Sequence, residues 1–212
     1  MRFARAIDIA SSIDAMRGRN TGESTTLDAP GTFRARGGAD TVTGSNGNDK
    51  IWGGGDDDIL FGDTPFGAGN DQIWGDGGRD LLFGRGGDDQ LRGGGGRDQV
   101  VGEDGDDKLY GNAGNDFIFD GAGRDKSWGG KGRDVFHVSE VSGRNNQIKD
   151  FENGKDRISI DFEGVTFGDL NISQKSKGVL VRVKGNDDRV LIEGARKRQI
   201  EESDFGFNGD EG

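Results

Sequence analysis

Between Ala35 and His137 one apolar position recurs at a nearly fixed interval: Val42, Ile51, Leu60, Ile73, Leu82, Leu91, Val100, Leu109, Ile118, Ser127 and Phe136, with ten of the eleven apolar. Each is the middle of a three-residue run often β-branched or aromatic, as in Phe117–Ile118–Phe119. Side chains alternate along an extended chain, so each run predicts a short strand with only its middle residue facing inward. The six residues before it are rich in glycine, which supplies the backbone freedom of a tight turn and permits close backbone approach. A copy is therefore half a coil, a turn plus a strand, and two copies complete one coil of a parallel solenoid. Copy n then stacks on copy n+2, and successive copies alternate between two sheets.

The sixth position of the nine-residue unit is invariant: Asp40, Asp49, Asp58, Asp71, Asp80, Asp89, Asp98, Asp107, Asp116, Asp125 and Asp134. Stacking places alternate members in two columns, with neighbours one strand spacing apart, about 4.8 Å. Two carboxylates at that separation repel by roughly 3 kcal/mol at an effective dielectric of about 20. A cation between them removes this penalty. Ca²⁺ suits the composition, because it accepts six to eight oxygens from carboxylates and backbone carbonyls in a flexible cage.

The repeated unit, as in Gly111 to Phe119 (GNAGNDFIF), resembles the RTX calcium-binding repeat, GGxGxDxUx. The resemblance implies an all-β fold, a right-handed parallel β-roll. It also implies ion sites formed by the aspartates and by carbonyls at positions two and four of one turn and one and three of the turn two copies on. Arg36, Gly38 and Asp40 would meet Gly53, Gly55 and Asp58, and Gly94, Gly96 and Asp98 would meet Gly111, Ala113 and Asp116. The same scheme brings in Gly47, Gly69, Gly75, Gly77, Gly78, Gly84, Gly86, Gly87, Gly93, Gly95, Gly102, Gly105, Gly114 and Gly129, for up to about nine Ca²⁺ ions. Three features depart from the unit: Asp56 at position four, Asp120 at position one, and an insertion of Asp63, Thr64, Pro65 and Phe66 in the fourth copy. The pairing of Asp49 with Asp71 is the one the insertion puts most in question.

Composition sharpens this picture. Only 30% of the 212 residues are hydrophobic, 42 are glycine and the formal charge is −11, a poor composition for an ordinary packed core. Much of the metal-free chain is expected to be disordered. Cysteine is absent, which excludes disulfides and thiolate metal sites, and the single histidine, His137, excludes histidine-rich zinc sites. Neither GxSxG nor HExxH occurs, only about 34 residues precede the repeats, and no enzyme activity is expected. No apolar run is long enough for a membrane span, and no nucleic-acid partner is expected.

The two outward faces differ. Odd copies present Ile59, Phe61, Leu81, Phe83, Val101, Phe117, Phe119 and Val135, an apolar face that calls for a cover. The candidates are an N-terminal helix, the inserted loop with Phe66, or a second copy of the chain in a homodimer. Even copies present Trp52, Trp74, Arg92, Tyr110 and Trp128 at position nine. That row suits recognition of a polysaccharide or another cell-surface ligand, and equally suits aromatics stacking along a strand ladder.

Three segments follow: 1–34, a short amphipathic helix carrying Phe3, Ile7, Ala10 and Ile13 plus a linker; 35–137, the roll; and 138–212, a small β-rich cap. In the cap, Asn145–Ile160 reads as two strands about an Asn-Gly turn, and Gly178–Glu193 as a hairpin. The elements IKDFENGKDRISI, FGDLNI and DFGF resemble the C-terminal modules of serralysin-type proteases and alginate epimerases. The resemblance implies a secreted, extracellular protein whose C-terminal region engages the type I secretion machinery, although five residues follow DFGF here.

Overall fold

The computed structural model describes residues 16–17, 22–139, 144–185 and 189–207. Two sheets run the length of the molecule. The eleven-stranded sheet takes Met16–Arg17, Thr32–Gly37, Lys50–Gly55, Gln72–Gly77, Gln90–Gly95, Lys108–Ala113, Lys126–Lys131, Arg144–Ile148, Arg189–Glu193, Gly178–Val183 and Leu170–Gln174 in spatial order. The nine-stranded sheet takes Ser24–Thr26, Thr41–Thr43, Ile59–Phe61, Leu81–Gly86, Gln99–Asp104, Phe117–Phe119, Val135–Ser139, Arg157–Asp161 and Phe205–Phe207. Even copies supply the first sheet and odd copies the second, each strand parallel to the strand two copies away, so the chain is an all-β parallel solenoid.

The core is one file of side chains per sheet. Leu60 pairs with Leu82, and Ile73 with Leu91, in unbroken register, and all four are fully buried. Ser127, the one polar member, is buried too, between Leu109 and Ile148 in the pairing order. The thirteen-residue interval between Leu60 and Ile73 leaves both in register with their neighbours, because the insertion leaves the sheets as a loop.

Both sheets continue past the repeats at each end. Ser24–Thr26 pairs with Thr41–Thr43, and Met16–Arg17 with Thr32–Gly37. The amphipathic-helix reading of residues 1–17 thus falls outside the described residues except at its last two, which are extended. Beyond His137, Arg144–Ile148 and Arg157–Asp161 extend opposite sheets, so the Asn153–Gly154 bend carries the chain from one sheet to the other. Gly178–Val183 and Arg189–Glu193 form the antiparallel hairpin, which with Leu170–Gln174 closes one edge over Val179, Val181, Val190 and Ile192. Pairing an exposed edge with a terminal hairpin removes a template for aggregation.

On the odd face the inserted loop does not act as a cover, because Phe66 is 96% exposed. The face is instead half-buried by its own members: Phe61 stacks on Phe83, and the Arg85 guanidinium lies over both rings. Among the described residues no helix is long and apolar enough to cross a membrane.

Candidate metal centre

Every position-six aspartate is buried, none more than 2% exposed. The ladder is held on three sides. From Asp58 to Asp134 each carboxylate Oδ1 accepts the backbone N–H of the aspartate two copies earlier, at 2.8 Å for Asp40 to Asp58 and 2.9 Å for Asp98 to Asp116, while Asp40 and Asp49 accept from Glu23 and Gly31. Each main-chain carbonyl accepts the N–H of position seven two copies later, as Asp80 does from Gln99 at 2.8 Å. The carboxylates are thus fixed in position and orientation before any ligand is considered.

What remains is the second oxygen. The Oδ2 atoms of Asp40, Asp58, Asp71, Asp80, Asp89, Asp98, Asp107, Asp116, Asp125 and Asp134 are buried without a hydrogen-bond partner. A buried carboxylate oxygen with no donor costs several kcal/mol, so it must either take a proton or meet a cation. Burial, followed by the neighbouring carboxylates, raises the proton affinity of the ladder. The pKa reaches about 6 at Asp58 and Asp134, about 7 at Asp71, Asp80, Asp107 and Asp116, about 8 at Asp125 and about 9 at Asp89.

The glycines at position one leave the space these oxygens face. A Cβ on Gly75 would stand 2.3 Å from Asp80 Oδ2 and 2.5 Å from the Gly93 carbonyl; on Gly84 the distances are 2.4 Å to Asp89 Oδ2 and 2.6 Å to the Gly102 carbonyl. A carboxylate oxygen and a carbonyl oxygen therefore converge on one point at these rungs. Hard divalent cations take such donors. Among the described residues no three acidic side chains gather closely enough to hold an ion alone, so backbone carbonyls must supply the balance. Positions two and four take left-handed backbone in most copies, even where the residue is Arg36 (φ 119°), Asp56 (φ 71°) or Glu103 (φ 72°). In those copies the turns thus keep one shape whatever the residue.

Parts of the ladder lie outside the repeats. Asn146 and Asp156 accept the N–H groups of Asp125 and Asp134 at 3.0 and 3.1 Å, taking the aspartate's place in the next coils. Asp120, at position one, accepts from the Asn146 side chain at 2.6 Å. A second, exposed ladder runs along position five: Asp57 Oδ1 accepts from Arg79 N–H, and Asp88 Oδ1 from Asp106 N–H, at 2.8 and 2.9 Å. Its sequence signal is the recurrence of Asn or Asp just before the invariant aspartate.

The aromatic row of the even sheet lies along the outer face as one stack. Arg34 lies 3.7 Å over Trp52; Trp52 and Trp74 stack at 4.2 Å and 3°; Arg92 lies over both Trp74 and Tyr110; and Tyr110 stacks on Trp128 at 4.5 Å. The ring faces are spent on one another and on guanidinium groups, leaving mainly edges outward. His137, half-buried at the end of the odd face, lies 4.7 Å from Phe119 and 3.5 Å from Asp161; burial lowers its pKa.

Residues 35–64, 67–100 and 101–136 match the family described as the RTX calcium-binding nonapeptide repeat (4 copies). Among solved structures, the AlgE6R3 subunit of the Azotobacter vinelandii mannuronan C5-epimerase is 31% identical, with 58% of this chain and 80% of that chain covered and a TM-score of 0.48. The extracellular lipase LipA from Serratia marcescens is 18% identical over 79% of this chain, which spans 40% of the lipase, with a TM-score of 0.37. No curated protein is significantly similar to this chain.

Proposed function

From the membership of its roll in the RTX calcium-binding nonapeptide-repeat family, we propose that this chain is a secreted, non-catalytic protein whose folding is driven by extracellular Ca²⁺. The observation that carries the reading is the row of ten buried carboxylate oxygens without donors, eight of them beside a glycine-shaped space. The position-six aspartates and the turn carbonyls would hold the ions, which supply the positive charge that the interior lacks. Folding and binding are then one event. Extracellular calcium modules bind with dissociation constants of roughly 10⁻⁴ to 10⁻³ M. A chain tuned to that range stays unfolded in a low-calcium cytosol, passes a type I exporter in extended form and folds outside. The stacked aromatic and arginine row is assigned to the scaffold; as a polysaccharide platform it is less well supported, because its ring faces are already covered.

Circular dichroism during a calcium titration tests this. A cooperative gain of β-signal is expected between chelator and about 10 mM calcium, a level that exceeds the expected dissociation constants. An unchanged spectrum across that range rules the reading out.

A further inference from the structure

The second and fourth copies break the pattern of the roll together. In the other nine copies positions two and four both take left-handed backbone, from Arg36 and Gly38 at the start to Gly130 and Gly132 at the end. Ser45, Gly47, Gly67 and Gly69 do not. Asp49 is also the ladder aspartate whose Oδ2 is already filled, by the backbone N–H of Ser45 at 2.7 Å and its hydroxyl at 2.9 Å. With its oxygen taken by Ser45, Asp49 has less to offer a cation than any other rung.

The insertion brings a replacement. Asp63, its first residue, is 0% exposed. Its Oδ2 accepts the N–H of Gly69 at 2.8 Å, while its Oδ1 is buried with no partner. The loop is tied to the second copy by the Thr64 hydroxyl, which donates to the Asn46 side chain. Asp63 is a like-charged neighbour of both Asp49 and Asp71. An added carboxylate at this place worsens the metal-free ladder, and a cation turns the same charge into affinity, since charge count among the ligands tunes calcium binding.

We propose that the four-residue insertion supplies Asp63 as a side-chain ligand for a Ca²⁺ ion at the Asp49–Asp71 rung, in the role that Asp49 gives up to Ser45. The inference rests on the calcium reading above and goes beyond it, because the nonapeptide unit has no residue at this place.

Native mass spectrometry of the calcium-loaded chain separates the two. Asp63→Asn keeps the size of the side chain and an acceptor for Gly69 but removes the charge, and is expected to carry one ion fewer than the unaltered chain. Ser45→Ala, which leaves Asp63 in place, is expected to keep the full count. If the unaltered chain binds no calcium, the calcium reading itself fails. If it binds calcium and Asp63→Asn carries the same number of ions, only the role of Asp63 is overturned. Should Asp63→Asn not fold, a crystal structure of the loaded unaltered chain decides. An ion within about 2.6 Å of the Asp63 carboxylate is expected, and a carboxylate touched only by protein donors overturns the proposal.

Discussion

Gly75→Val is expected to cost about 3 kcal/mol or more of the calcium-loaded fold, raising the calcium concentration at the midpoint of folding. The added Cβ alone would sit 2.3 Å from Asp80 Oδ2 and 2.5 Å from the Gly93 carbonyl, and the two methyl groups would fill the point on which those oxygens converge. Gly77→Val, two residues on in the same turn, is the control. There a Cβ meets nothing nearer than the Gly54 carbonyl at 3.8 Å, and Asn46, Asp104 and Lys131 already carry side chains at that position in other copies. Its cost should stay near 0.5 kcal/mol, as for an ordinary surface change. Ala35 and Asp120 carry a Cβ at position one, in the first and tenth copies near the two ends of the ladder, so the requirement for glycine is strictest in the middle. Calcium titrations of both variants by circular dichroism make the comparison. Equal midpoints would show that the space beside position one holds nothing the fold needs.

The second large effect concerns pH without calcium. Burial raises the pKa of the ladder carboxylates from 3.8 to about 7 at four rungs and to about 9 at Asp89. The folded form therefore binds more protons than the unfolded form between those values. A group whose folded pKa is raised favours the fold fully below pH 3.8, and that contribution is lost as pH rises through the folded value. The chelated chain should thus gain β-structure when taken from pH 8 to pH 5 and lose it again on return. The same gain should be smaller in Asp89→Asn, in which the most strongly shifted group no longer titrates. Far-ultraviolet circular dichroism in chelator reads both. A chelated chain more ordered at pH 8 than at pH 5 contradicts the sign of this coupling.

Much of the fold is legible in the sequence because the roll is built from interactions local to a nine-residue unit. The inward file from Val42 to Phe136 and the aspartate ladder follow from spacing alone, since a strand buries alternate residues and stacking aligns whatever repeats. What escapes is whatever breaks the period. Asn146 and Asp156 continue the ladder with no repeat around them, because a single side-chain acceptor suffices once the coil geometry is set. Asp63 could not be placed from its position in the chain, because its value depends on a loop folding back beneath Gly69. In the sequence the insertion puts the Asp49–Asp71 pairing in question, and its Phe66 is one of three candidate covers for the apolar face; in the structure Phe66 is exposed and the buried residue of the loop is the aspartate. The aromatic row is compatible with two uses in the sequence, and the structure adds that its rings stack, Trp52 on Trp74 with an interplanar angle of 3°.

Small-angle X-ray scattering of one sample, first in chelator and then in calcium at neutral pH, tests whether the cation completes the interior. With the ladder charged and unpaired the chain should scatter as an expanded polymer, with a radius of gyration approaching about 50 Å. With calcium it should fall toward the value of a compact chain of this length, about 17 Å for a globule and somewhat more for an elongated roll. A chelated chain as compact as the loaded one would contradict the account.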